Sequence, residues 1–336
     1  MTESSSLEGV SEDRLLTEID TLCGQLARVR AQIERVIFGQ RHVVDQTLIS
    51  ILAGGHALLI GVPGLGKTKL VETLGDVFGL DDKRIQCTPD LMPADILGSE
   101  VMEEDQLGKR HFRFVAGPVF CQLLMADEIN RASPRTQSAL LEAMQEQTVT
   151  VAGHTHHLPR PFHVLATQNP LEQEGTYPLP EAQLDRFLLQ IDVGYPDEEA
   201  ERRMLIATTG TKANTSGHSF TPEDLIAAQD LLRRVPVGQS VVDAILSIVR
   251  GGRRETTDLE EVRRHVAWGP GPRASQALML AVRSRAVLEG RIAPSVDDVI
   301  TLAQPVLRHR MALNFAARAE GVTIDSVIDR LCECHV

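Results

Sequence analysis

Eight consecutive residues, Gly61-Val62-Pro63-Gly64-Leu65-Gly66-Lys67-Thr68, have the types and spacing to grip the phosphates of a nucleotide. Glycines let successive backbone N–H groups turn into one concavity, and a helix starting behind them adds positive potential. Lys67 would reach the β- and γ-phosphates, and the Thr68 hydroxyl would ligate Mg2+. The bare pattern arises by chance in roughly one chain of this length in a hundred. An apolar run ahead of it, His56–Ile60, and a helical pattern behind it supply the strand–loop–helix context. The competing interpretation is a Gly-rich turn beside a surface lysine. Further along, the run Leu123-Leu124-Met125-Ala126 ends in Asp127-Glu128. Carboxylates at the end of such a strand lie at the carboxyl edge of an α/β sheet, where ligands bind. Asp127 would hold Mg2+, largely through water, and Glu128 would polarise an attacking water. A strand ending in Asp-Glu says little alone, but after a phosphate loop it points to hydrolysis rather than mere binding.

A third apolar run, Phe162–Ala166, ends in Thr167-Gln168-Asn169-Pro170. The Asn169 amide could orient the water between Glu128 and the γ-phosphate, and Asn-Pro could equally be a turn. Arg186, in Leu184-Asp185-Arg186-Phe187, and Arg273, in Gly271-Pro272-Arg273, are the cations to consider for the charge that develops in phosphoryl transfer. Without context each is first a surface residue. His154, His156 and His157 have no carboxylate or cysteine at ligand spacing and fit a solvated hairpin tip. The terminal Cys332-Glu333-Cys334-His335 lacks the second ligand cluster of a zinc site.

The elements that must position these groups follow from the hydropathy pattern. Short apolar runs at His56–Ile60, Arg84–Cys87, Cys121–Ala126, Phe162–Ala166 and Leu188–Val193 alternate with helical patterns such as Lys67–Phe78 and Pro134–Gln147. Runs apolar on both faces predict a parallel five-stranded sheet covered on both sides. Hairpin-like insertions interrupt it at 99–115, around Gly108, and at 148–158, around Gly153. From about Pro196 only helical spacing remains, at 197–208, 222–234, 240–250, 272–289 and 295–310, with capped acidic starts at Thr221 and Ser295. Polar stretches at 209–217 and 251–257 have the composition of flexible links. Near the start, Leu15, Ile19, Leu22, Leu26, Val29 and Ile33 form one helix face, opened by a cap-like Ser11. Too few heptads follow for a coiled coil, so the stripe is expected to pack on its own domain. The expected organisation is 1–36 an amphipathic helix, 37–196 a nucleotide-binding α/β core, and 197–336 a smaller all-α lid.

Composition bounds the function classes. The chain has 336 residues, 43 % of them apolar, and 46 acidic against 34 basic residues for a net charge of −12. That balance, with a single Trp and two Tyr, argues against nucleic-acid binding. No basic-then-apolar leader opens the sequence, no apolar stretch is long enough to span a bilayer, and five scattered cysteines suit reduced thiols, so a cytoplasmic protein is expected.

Taken together, these motifs resemble the AAA+ ATPases, specifically the MoxR family with a helix-2 insert, over nearly the whole chain from about Val36. The most specific stretches are Arg84-Ile85-Gln86-Cys87-Thr88-Pro89-Asp90-Leu91-Met92-Pro93, then Asp127 through Ala132 continuing at Gln137–Met144, and Ala166–Pro170 with Glu174–Phe187. The resemblance implies that Asn169 is the sensor-1 residue and that Arg186 is an arginine finger offered to the next subunit's nucleotide. It also implies that Arg273 is sensor 2 on the lid. Relatives with the insert reposition the lid, which leaves open whether Arg273 acts in cis or in trans. Ile37-Phe38-Gly39-Gln40 resembles the segment beside the adenine, and Arg131 could approach a neighbour's site. The implied assembly is a homo-hexameric ring hydrolysing ATP with Mg2+ between subunits. The implied role is chaperone-like, acting on protein clients that include von Willebrand factor A domain proteins, or inserting metal cofactors. Two other functions share Lys67 and Thr68: a nucleotide-gated assembly scaffold, and a DNA motor, which would need a basic pore. The mixed charge of the first insert, Lys109, Arg110 and Arg113 against Glu100, Glu103, Glu104 and Asp105, argues against the motor.

Overall fold

The computed structural model describes residues 3–104, 109–172, 175–209, 217 and 219–335. It opens with helix α1 (Glu3–Glu34). Ile19, Leu22, Leu26, Val29 and Ile33 are fully or nearly fully buried along one stripe of α1, which packs on this chain's own helices. The helix begins eight residues before Ser11, so Ser11 is not its cap. No proline stands between Glu3 and Ser11, and the one glycine there, Gly9, costs only about 1 kcal/mol in a helix interior.

In chain order the core then runs through α2 (Arg41–Leu52), β1 (Ala57–Ile60), α3 (Lys67–Phe78), β2 (Asp82–Gln86) and α4 (Pro93–Leu97). The hairpin β3 (Gly98–Glu104) and β4 (Arg110–Ala116) follows, then β5 (Leu123–Asp127) and α5 (Pro134–Glu146). A second hairpin, β6 (Thr148–Val151) and β7 (His154–His157), precedes β8 (His163–Gln168), α6 (Glu181–Leu184) and β9 (Leu189–Asp192). Five strands form one parallel sheet in the order β2-β5-β8-β1-β9. Alternate residues of each inner strand enter different cores. Leu58, Leu124, Val164 and Ala166 face α5, whereas Leu59, Leu123, Met125 and Leu165 face α1, α2 and α3. The edge strand β2 departs from expectation, because of its five residues only Ile85 is buried. An edge has one strand neighbour, and here Arg84 and Gln86 are left free to turn toward the site.

The two hairpins meet side by side. The His156 ring stacks on Phe114 with centroids 3.9 Å apart and planes 13° from parallel. His154, His156 and His157 therefore lie along β7 rather than at a tip, which is formed by Ala152 and Gly153, both with positive φ. The tip of the first hairpin, including Gly108 and Asp105, lies outside the described residues, as do Glu174 and residues 210–216 of the first expected link.

Beyond β9 come α7 (Glu198–Thr209), α8 (Pro222–Arg234), α9 (Gln239–Gly251), α10 (Glu260–His265), α11 (Pro272–Leu288), α12 (Val296–Leu307), α13 (Phe315–Ala319) and α14 (Ile324–His335). Thr221 and Ser295 close capping boxes with Asp224 and Asp298. This lid is not wholly helical: β10 (Val266–Trp268) pairs antiparallel with β11 (Ala312–Leu313). Strands of two and three residues are too short to show a period of two in sequence. The polar stretch 251–257 is also pinned rather than loose. Thr257 N–H donates to the Arg253 carbonyl at 3.0 Å, and Arg253 Nε donates to the Pro270 carbonyl at 2.8 Å. The lid docks on the core through α11 against α2 and through α12 against β9.

Candidate active site

The phosphate loop spans the gap between the end of β1 and the first residue of α3. Its start is tied to both neighbouring strands: Gly61 N–H donates to the Gln168 carbonyl at 3.2 Å, and Val193 N–H donates to the Ile60 carbonyl at 2.7 Å. Only glycine fits at 61, because a Cβ there would stand 2.5 Å from the Val193 carbonyl oxygen. Gly64 and Gly66 have φ of 86° and 76°, and a Cβ on either would meet open space. The loop thus arches over an accessible hollow. Half-buried Lys67 donates from Nζ to the Gly61 carbonyl at 2.6 Å. Burial pulls its pKa down, and Asp127 and Glu128 counter that shift.

A cleft of about 410 Å³ collects Lys67, Thr68, Arg84, Asp127, Glu128 and Asn169. It shares Pro63, Gly64, Gly66 and Lys69 with a second hollow of about 300 Å³, lined by Ile37, Phe38, Gln40, Leu65, Tyr195 and Met204. One end is charged and the other apolar, which suits a triphosphate joined to a flat base. Gln40 is buried and donates from Nε2 to the Leu65 carbonyl at 3.2 Å and the Gly194 carbonyl at 3.4 Å. Its amide therefore braces the loop, in which Val62 is half-buried.

Asp127 ends β5 and Asn169 follows β8, so both reach the carboxyl edge. Asp127 accepts from Thr167 Oγ1 and from Arg84 Nη2, each at 2.5 Å. Glu128 has a left-handed φ of 54° and is anchored by its N–H donating to Thr167 Oγ1 at 2.9 Å. A non-glycine residue in that conformation costs about 1–3 kcal/mol, a strain characteristic of functional positions. Its carboxylate accepts from Gln86 Nε2 at 2.8 Å and from Arg131 Nη1 at 3.2 Å. Asn169 Oδ1 accepts the Leu171 N–H at 3.1 Å, so the turn-forming role is realised and any contact into the cleft falls to Nδ2. The Asp127 carboxylate and Thr68 hydroxyl in one cleft are the hard oxygen donors that Mg2+ takes, so the residues present fit that ion. Arg84, Gln86 and Thr167 were not foreseen. The available signal was period two: Arg84 and Gln86 share one face of β2, and Gln86 pairs in register with Asp127.

Arg186 and Arg273 are elsewhere. They line a separate cleft of about 260 Å³ with Gly55 and His56 just before β1, Leu188 just before β9, and Gln145 near the end of α5. That is the amino edge of the sheet, about 16 Å from Gly61 at the rise of an extended strand. Arg186 Nε donates to Gln145 Oε1 at 3.2 Å, and Arg273 lies 3.8 Å from Asp185. The structure therefore brings the two arginines together and keeps both from this chain's own Lys67.

Comparisons with known proteins identify the family and the fold. Residues 56–189 match the model of the ATPase family associated with various cellular activities (AAA), and residues 260–331 match an AAA lid domain. Chaperone MoxR1 of Mycobacterium tuberculosis is 42 % identical over 320 residues, covering 95 % of this chain and 83 % of that protein. Protein MoxR of Paracoccus denitrificans is 32 % identical, covering 89 % and 92 %. A crystal structure of a protein assigned as an ATPase, from Cytophaga hutchinsonii, superposes with a TM-score of 0.88 at 36 % identity over 97 % of this chain and 98 % of that one.

Proposed function

This chain belongs to the MoxR family of AAA+ ATPases, and from that premise we propose that it hydrolyses Mg2+-ATP at sites shared between neighbouring copies in a ring and uses the cycle to remodel a protein partner. The separation of the two clefts carries the proposal. Lys67, Asp127 and Glu128 stand at the carboxyl edge, with Arg186 and Arg273 at the amino edge of the same sheet. A copy arranged head to tail brings one edge against the other, a heterologous contact that closes into a ring, here a hexamer. In that arrangement Arg273 acts in trans, alongside Arg186.

Within the shared site, Lys67 and the loop N–H groups hold the β- and γ-phosphates, and Thr68 and Asp127 would hold Mg2+. When bound, the ion would neutralise negative charge on the β- and γ-phosphates. Glu128, once freed from Gln86 and Arg131, takes the proton of the attacking water. Asn169 Nδ2 orients that water, and the neighbour's Arg186 meets the developing charge. Gln40 keeps the loop in place beside the base.

A protein client is supported by the first hairpin. Arg110 pairs with Glu104 and Arg113 with Glu103, so these two cations are neutralised within the hairpin. Met102 and Phe112 face each other across the strands and are 55 % and 70 % exposed. That surface suits an apolar protein segment better than a phosphate backbone. Clients with von Willebrand factor A domains or awaiting a metal cofactor, and a cytoplasmic setting consistent with five unpaired cysteines, belong to the same proposal. No helix among the described residues is long and apolar enough to cross a membrane.

The test is steady-state ATP hydrolysis per subunit across a range of protein concentrations, with Glu128→Gln alongside. Activity should climb with concentration and vanish in the variant. A rate per subunit independent of dilution down to monomer would overturn the shared site.

A further inference from the structure

The lid turn Arg308-His309-Arg310 reaches the segment that carries Arg186. Arg310 is 2 % exposed, yet it brings a guanidinium into the interior. Its Nε donates to Asp185 Oδ1 at 2.7 Å, its Nη2 to the Phe187 carbonyl at 2.7 Å, and its Nη1 to the Leu188 carbonyl at 3.1 Å. His309 Nε2 donates to the same Phe187 carbonyl at 2.9 Å. One side chain thus fixes the residues on both sides of Arg186. The other arginine of the turn, Arg308, pairs with Asp192 at the far end of β9 and with Asp325 at 2.7 Å. Val193, the next residue, backs onto Gly61 at the start of the phosphate loop. A single turn of the lid therefore grips β9 at both ends, one beside this chain's own phosphate loop and the other beside Arg186.

Filling space does not require a charge here. An apolar side chain would avoid the desolvation cost of burying a guanidinium, whereas a planar fork with several fixed donors sets direction. We propose that Arg310 is a positioning residue for Arg186: by holding the Asp185 carboxylate and the Phe187 and Leu188 carbonyls, it sets the direction in which Arg186 leaves the surface and ties that direction to the lid. This rests on Arg186 serving a neighbour's nucleotide.

Mixing of variants tests it, because a residue that serves the finger belongs with Arg186 and not with Lys67. Arg310→Met should bind a fluorescent ATP analogue within about twofold of the unaltered protein while hydrolysing about 100-fold more slowly, the scale of a misplaced catalytic group. Mixed with Lys67→Ala, which cannot use its own nucleotide but still offers Arg186, it should recover about a quarter of the full rate by random assembly. Mixed with Arg186→Ala, it should recover nothing. Arg310→Lys keeps the buried charge while losing the planar fork that holds several acceptors at once, and should behave the same way if Arg310→Met does not fold. Near-normal hydrolysis by these variants, recovery with Arg186→Ala, or no recovery with Lys67→Ala overturns the assignment. The control mixture of Arg186→Ala with Lys67→Ala separates the two levels: its failure to recover defeats the shared site itself, and this inference with it.

Discussion

The two edges of one parallel sheet are built on different principles. At the carboxyl edge, polar groups from consecutive strand ends converge within one chain: Lys67 after β1, Asp127 and Glu128 at and after β5, Asn169 after β8. Besides the buried Thr167 hydroxyl, the two carboxylates here bond to long exposed side chains, Arg84 and Gln86. At the amino edge, the cations Arg186 and Arg273 have no phosphate loop beside them and are backed by a buried layer, Arg310, His309, His56 and His163. On the proposed function, the first edge changes partners when substrate arrives, and the second holds still and presents.

That contrast is broken most directly by one substitution at each edge. Lys67→Ala should abolish nucleotide binding, because it removes the point charge on the β- and γ-phosphates. Arg186→Ala should leave binding intact and lower hydrolysis by about 10³-fold or more, the scale of an arginine finger. Isothermal titration with a non-hydrolysable analogue and a phosphate-release assay separate the two. Normal hydrolysis by Arg186→Ala would end the assignment of the amino edge to the reaction.

The edges were unequally legible in the sequence. The carboxyl edge is written in contiguous motifs, since strand–loop–helix units place residues 61–68 and 127–128 locally. The amino edge depends on a pairing 125 positions apart, Asp185 with Arg310, which no local pattern encodes. Helix α2 escaped for a different reason. Its polar face, Arg41, His42, Asp45 and Gln46, is confined to the first half, and Thr47 and Ser50 are buried with the apolar residues, so the period of 3.6 does not persist along it. The split of β9 from the helices after it was visible, whereas the β10–β11 ladder was too short to register.

The buried layer gives a second, intermediate effect. Burial pushes His56 and His163 down to about 4 and His309 well below its ordinary value, and the charge on nearby Arg310 adds to the last shift. In the unfolded chain each titrates near 6.5, so on acidification the unfolded state takes up protons that the folded state refuses. Stability contributed by the neutral rings is complete above about 6.5 and declines toward 4, by up to about 1.4 kcal/mol per pH unit for each histidine. Urea unfolding between pH 7 and 4.5 should show the slope, and His163→Gln should make it shallower. A flat curve for the unaltered protein would mean that these rings are not held neutral.

The smallest effect sharpens the comparison most, because it sets one arginine against another. Arg84 and Arg310 both pair with an aspartate next to a catalytic motif, Asp127 and Asp185. The Arg84 side chain is 51 % exposed and that of Arg310 is 3 % exposed. Water solvates Arg84 nearly as well as Asp127 does, so the pair contributes less than about 1 kcal/mol. Arg310 loses its hydration on burial, and removing a partner strands a charge, a loss of about 3–5 kcal/mol. Arg84→Ala should therefore leave the unfolding free energy within about 1 kcal/mol of the unaltered protein, whereas Asp185→Asn should lower it by a clearly larger amount in the same urea titration. Equal losses from the two would mean that the carboxyl edge is as rigidly held as the amino edge. Glu128 and Asp127 would then have to be released against a structural cost, and the division of the sheet into an edge that exchanges partners and an edge that presents cations would fail.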